Sequence, residues 1–355
     1  MKIHNNDLKT REAILQHYKN YPDLQIQDIF KFLYQSVFGP EHFIDSKDAA
    51  INNIVNEYIA SNSHDLIDGL DGEYCRIPLS YINKGLSAKT LGTIFFLSSK
   101  HNEDGLLILP NKLKVAKELV DEGLLPYTKE EFEKETANWA KQGYPALHHS
   151  AVFREKYKPS YRVIANDFLP FLPLLIEIDK LLAKNKATIA IEGGSASGKT
   201  TLGKTLSDIY NCTVLHMDDF FLRPEQRTPE RLSQVGGNID WERFLEEVLK
   251  PLSLKEDVIY KKFDCSTLTF RKGKKIIPTN LVVVEGAYSM HPQLEKYYDF
   301  SAFLDIKENL QRERILHRNT PQFAALFFEK WIPLENRYFE KTQIKKRCKI
   351  KIDII

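Results

Sequence analysis

Nine consecutive residues concentrate the chemistry of this chain: Gly193-Gly194-Ser195-Ala196-Ser197-Gly198-Lys199-Thr200-Thr201. They satisfy G-x-x-x-x-G-K-[ST] at every fixed position. In such a loop glycines let successive backbone N–H groups converge on a polyphosphate, and the following helix adds its positive end. Lys199 then reaches the β- and γ-phosphates, and the Thr200 hydroxyl holds Mg²⁺. A glycine-rich turn that matches by chance is the competing reading, and the neighbouring residues argue against it. Thr188 to Glu192 reads as a short buried strand, and Leu202, Leu206 and Ile209 recur at helical spacing. Strand, glycine loop and helix form the setting that a nucleoside triphosphate site requires.

Three further groups of residues could work with that loop. Asp218 and Asp219 follow an apolar run, Cys212 to His216, and carboxylates at a strand's C-terminal end lie where open α/β sheets bind ligands. A solvated turn or a helix cap is the alternative. Leu281 to Val284 runs straight into Glu285, as a central strand delivering an acid to a metal would. Arg314 and Arg318 lie four apart on a basic helix, which spacing alone cannot distinguish from an ordinary charged face.

The elements that must position these groups divide the chain in two. Its 355 residues suit two domains, and 43% apolar with 28% charged residues fits a soluble globular protein. A formal net charge of +2 is too balanced for a nucleic-acid or membrane surface. The four cysteines form no C-x-x-C pair, which argues against a zinc site or disulfide framework and fits a reducing cytosol. No apolar run is long enough to span a membrane, and the first residues do not read as a signal peptide. Homo-oligomerisation stays open.

Residues 1–185 read as a mainly α-helical domain. Helical stripes include Ile26 to Tyr34, Ser46 to Ile59, Pro78 to Lys100, Lys112 to Glu122 and Lys129 to Lys141. Residues 186–355 alternate strand and helix, the βαβ signature of a parallel sheet. The expected strands after the loop are Cys212–His216, Leu281–Val284, Phe300–Ile306 and a final one over 348–355. In the first half, His148, His149, Arg154 and Tyr157 crowd together, and His42 lies upstream. They could recognise an anion or a base, or even a metal, or they could be a tyrosine-rich loop packed on its neighbours.

With these residues set out, the second half resembles the uridine kinase and phosphoribulokinase family of P-loop kinases, and is similar to its nicotinamide riboside kinase relatives. The matching segments are residues 193–201, 216–221, 282–286 and 312–318. The resemblance implies ATP and Mg²⁺ as cofactors and a small-molecule hydroxyl as acceptor. It implies Asp218 as base, Glu285 at the metal with Thr200 and Asp218, and Arg314 and Arg318 (with Arg312 beside them) as lid arginines. One departure bears on substrate. Where uridine kinases carry a histidine that contacts the pyrimidine, this chain has Leu268, so uridine or cytidine is a poor expectation. No family resemblance covers residues 1–185. The alternative reading is a regulatory ATP-binding module whose first half binds a protein or RNA partner. The absence of an Asn-Lys-x-Asp motif argues against a GTP switch.

Overall fold

The computed structural model describes residues 2–40, 46–58, 66–99, 102 and 104–354. It divides into two compact units, Met1–Leu172 and Pro173–Ile355.

The first unit contains helices α1 (Lys2–Asn20), α2 (Ile26–Phe38), α3 (Lys47–Tyr58), α4 (Ala88–Leu97), α5 (Gly105–Asp121), α6 (Lys129–Lys141) and α7 (Ala151–Tyr157). Helix α2 is its centre, because Ile29, Phe30, Phe32 and Leu33 are all buried and pack with Leu113, Leu119, Phe132 and Trp139. The α6 start follows from a capping box, in which Thr128 and Glu131 satisfy each other's backbone N–H. Helix α5 begins well before the expected Lys112. Leu106 and Leu107, in its first turn, face solvent and so break the apolar periodicity that would announce it.

This unit, mainly α-helical as expected, also contains strands that the sequence analysis did not assign. Strands β1 (Asp68–Gly69), β2 (Tyr74–Pro78) and β3 (Tyr161–Ala165) form an antiparallel sheet in that order. Arg76 and Arg162 interrupt the apolar pattern of β2 and β3. Both are nonetheless buried, Arg76 bonding Asp68 and Gln35, and Arg162 bonding Glu57.

The second unit opens with α8 (Leu172–Leu182), which the sequence assigns to the first half. Leu174, Leu175 and Ile178 on this helix are buried, and Tyr210 OH donates to the Leu175 carbonyl at 3.2 Å. Its sheet consists of β4 (Ala187–Gly193), β5 (Thr213–His216), β10 (Leu281–Glu285), β11 (Phe300–Ile306) and β12 (Ile350–Ile354). Their order is β12-β11-β4-β10-β5, with every neighbour parallel. Strand β10 is buried at all five positions, as its unbroken apolar run requires. Helix α9 (Lys199–Tyr210) follows β4, and α10 (Pro229–Ser233), α11 (Trp241–Phe244) and α12 (Lys250–Ser253) follow β5. Two small hairpins come next, formed by β6 (Val258–Tyr260) with β9 (Lys274–Ile276) and by β7 (Phe263–Asp264) with β8 (Thr269–Phe270). Helices α13 (Glu308–Arg318), α14 (Pro321–Leu326), α15 (Ile332–Thr342) and α16 (Ile344–Arg347) precede the last strand. The parallel β–α architecture expected for residues 186–355 is therefore present.

Candidate phosphate-loop site

The glycine loop leaves the C-terminal end of β4, the central strand, and enters α9 directly. Gly193 (φ +151°) and Gly198 (φ +96°) take backbone conformations that L side chains rarely adopt. A Cβ at Gly193 would lie 2.7 Å from the Leu304 carbonyl oxygen, so glycine there is a packing necessity as well. Ala196 also has positive φ, +61°. Lys199 Nζ donates to the Gly194 carbonyl at 2.9 Å and so folds back over the loop. Ser197 Oγ is buried inside the loop and has no hydrogen-bond partner among the described residues. An orphaned buried hydroxyl in a glycine-rich loop at a helix N-terminus fits a phosphate.

Strands β5 and β10 deliver the acids to the same end of the sheet. Glu285, at the tip of β10, is buried; its Oε1 accepts from Thr200 Oγ1 at 3.1 Å and lies 2.5 Å from His216 Nδ1. That contact with Glu285 raises the His216 imidazole above its ordinary range. Asp218 and Asp219, adjacent in sequence, have different environments. Asp219 is buried, accepts from Tyr260 OH at 2.9 Å and pairs with Lys262 at 2.5 Å. Asp218 is exposed. The surrounding protein pushes its carboxyl upward, with Lys199 acting in the opposite sense and Glu285 adding to the rise. Asp219 is thus held by Tyr260 and Lys262, whereas the Asp218 carboxylate is exposed.

For a magnesium ion the fit is partial and of a familiar kind. Thr200 and Glu285 offer two hard oxygen ligands side by side. No group of three or more His, Cys, Asp or Glu residues capable of holding a metal occurs among the described residues. Mg²⁺ commonly takes one or two protein oxygens and completes its shell with phosphates and water.

Helix α13 brings one of the expected arginines to the loop. Arg314 Nη1 donates to the Ala196 carbonyl at 3.2 Å. Arg318 is exposed and its guanidinium lies 5.3 Å from the centre of the Phe327 ring, while Arg312 lies 4.6 Å from that of Phe328. Beside the loop, Glu308, Gln311, Arg312, Phe328 and Asn336 line an open, mainly polar cleft.

Two acids at the loop had no signal strong enough to single them out from sequence. Glu192, the residue before Gly193, is wholly buried and accepts from Gly193 N, Tyr288 N, Met290 N and Tyr338 OH. Burial pushes its carboxyl up to about 7, although these donors favour the charged form. A lone acid ending an apolar strand is the trace it leaves in the sequence. Glu335, on α15, accepts from Ser195 N at 2.8 Å and from Ser195 Oγ at 2.6 Å. Nothing in the composition of α15 marks it.

The histidine-rich stretch of the first unit separates into inside and outside. His148 and Arg154 are exposed, and Tyr157 OH donates to Asp23 at 2.7 Å. His149 is buried between Asp28 (Nδ1 to Oδ1, 2.9 Å) and Tyr161 (Nε2 to OH, 2.6 Å). With Asp28 as acceptor, Nδ1 carries the proton and Nε2 receives that of Tyr161. Burial drives His149 down to about 3. Ser150 adds two more bonds to Asp28, so the cluster is a satisfied buried network. His42 lies outside the described residues.

Residues 188–322 match the model of the Phosphoribulokinase / Uridine kinase family. Among solved structures, a possible uridine kinase from Bacillus stearothermophilus is 19% identical, with a TM-score of 0.37. The match covers 51% of this chain and 100% of that one. Shikimate kinase from Aquifex aeolicus vf5 is 18% identical with a TM-score of 0.25, over 47% of this chain and 86% of that one. No curated protein is a significant match.

Proposed function

We propose that this P-loop kinase domain transfers the γ-phosphoryl group of ATP to a hydroxyl of a small molecule. The observation that carries the reading is the exposed carboxylate of Asp218 just after β5, at the end of the sheet where Thr200 meets Glu285 at 3.1 Å. Phosphoryl transfer asks the protein for positioning and for neutralising charge more than for covalent chemistry. In this reading the loop amides, Lys199 and Arg314 hold the phosphates. Thr200 and Glu285 hold Mg²⁺, which supplies charge neutralisation at the β- and γ-oxygens when bound. Asp218 orients the acceptor hydroxyl and takes its proton.

The acceptor is not a pyrimidine nucleoside in this reading. Leu268 is half-exposed at a left-handed turn (φ +57°) on the β7–β8 hairpin, and its side chain has no polar atom to recognise a base. A site built around such a hydrogen bond gains discrimination on the order of 10⁴-fold, and one without the donor cannot. ATP consumption against a panel of nucleosides and small polyols tests the proposal, with product identified by the phosphate it carries. Consumption stimulated by a hydroxyl compound supports it, and efficient use of uridine contradicts the acceptor half.

A further inference from the structure

Glu335 reaches the phosphate loop from a distant part of the chain. It lies on α15, is only 6% exposed, and spends both carboxylate oxygens on one residue, Ser195. Such burial pushes its carboxyl upward, with Lys199 and the Ser195 bonds pulling the other way. A buried carboxylate is costly unless its lone pairs are used, so an acid with no role here would be selected against by stability alone.

The loop it touches is strained and held at several points. Ala196 and Gly198 have positive φ, and such conformations persist where the surroundings over-determine them. Gln311 Nε2 donates to the Ser195 carbonyl at 2.8 Å while Glu335 accepts a hydrogen bond from the Ser195 N–H. Both backbone polar groups of Ser195 are therefore fixed by side chains from the C-terminal helices. A Cβ at Gly194 would stand 3.0 Å from Gln311 Nε2 and 3.5 Å from Glu335 Oε2, so this close approach leaves little slack. One turn further along α15, Tyr338 OH donates to Glu192 at the loop's entrance.

We propose that Glu335 is a positioning residue: through Ser195 it fixes the phosphate loop in the curvature that receives the nucleotide. The Ser195 amide is thereby spent on α15, and phosphate is held by the amides after it. This rests on the reading that the loop binds ATP.

Calorimetric titration of the full-length protein with MgATP, together with thermal unfolding, tests it. Glu335→Ala weakens ATP binding about tenfold or more, the effect of losing a charge-assisted hydrogen bond. Glu335→Gln, which keeps one acceptor oxygen, recovers part of the loss. Ser195→Ala weakens binding by itself but adds little in the Glu335→Ala background, because both act through the same contact. If Glu335→Ala loses its cooperative melt, the Glu335→Gln and Ser195→Ala pair carries the same non-additivity test. A folded Glu335→Ala protein with wild-type affinity, or fully additive losses, overturns the inference and leaves the ATP site standing. A wild-type protein that binds no ATP overturns both.

Discussion

Thr200 and Glu285, 85 residues apart in the chain, meet at 3.1 Å, and the same Glu285 oxygen carries His216. Three elements thus contribute to one corner of the site: the start of α9, the end of β10 and the end of β5. If this corner holds the metal, Glu285→Gln should raise the Mg²⁺ concentration needed for half-maximal ATP binding. The same substitution removes the largest influence that lifts His216. Its imidazole, followed by NMR titration of metal-free protein, should fall from its raised value toward about 6.5. An unmoved His216 would show that the contact is not made in solution.

The two arginines on α13 should behave differently. Arg314 touches the loop and Arg318 stacks on Phe327. Arg314→Ala should weaken ATP binding and slow transfer, roughly tenfold or more for a charge aimed at phosphate. Arg318→Ala, away from the loop, should change affinity less than about threefold. Steady-state kinetics of the two variants side by side distinguish the cases.

The loop and its flanking strands were legible in the sequence because β4, β5 and β10 are short, largely apolar runs that end at the site. Lys199, Thr200, Asp218 and Glu285 could be named on that pattern. Glu335 and Gln311 could not, since their meeting with Ser195 depends on how α13 and α15 fold back over the loop. Helix periodicity says nothing about that. Strands β2 and β3 were hidden by Arg76 and Arg162, which read as surface residues and are in fact buried ion partners. Likewise, sequence gave two adjacent histidines without saying that only His149 turns inward, because the choice is made by Asp28, far upstream.

That histidine gives the first unit a pH signature. His149 titrates at about 3 when folded, against an ordinary value near 6.5. Between those values the unfolded chain binds a proton that the folded one does not, so stability falls as pH drops through 6.5 toward 3. Asp28, held down to about 2, adds a loss in the same direction below about pH 4. Denaturant unfolding at pH 7.5 and pH 5, with His149→Gln for comparison, should show a smaller pH dependence in the variant. An equal slope would mean that other groups carry the acid sensitivity.

We expect residues 173–355 to fold as an autonomous nucleotide-binding unit, since every strand of the five-stranded sheet and all of helix α8 but its first residue lie within them. A fragment beginning at Pro173 should melt cooperatively and bind ATP. A fragment beginning at residue 186, which lacks α8 and exposes its partner surface, should be less stable by thermal unfolding. Equal melting temperatures would show that α8 contributes nothing to the unit.

The central claim is that Asp218 and Lys199 act on one transferred phosphoryl group. Transfer of labelled γ-phosphate from ATP to the best acceptor of the nucleoside and polyol panel measures it directly. Wild-type protein should give a labelled, phosphorylated acceptor, and folded Lys199→Ala should give none. Asp218→Asn should bind ATP nearly as well as wild type while turning over roughly 10²-fold more slowly, the span expected for losing a general base. Normal turnover by Asp218→Asn, or undiminished transfer by Lys199→Ala, would contradict the account.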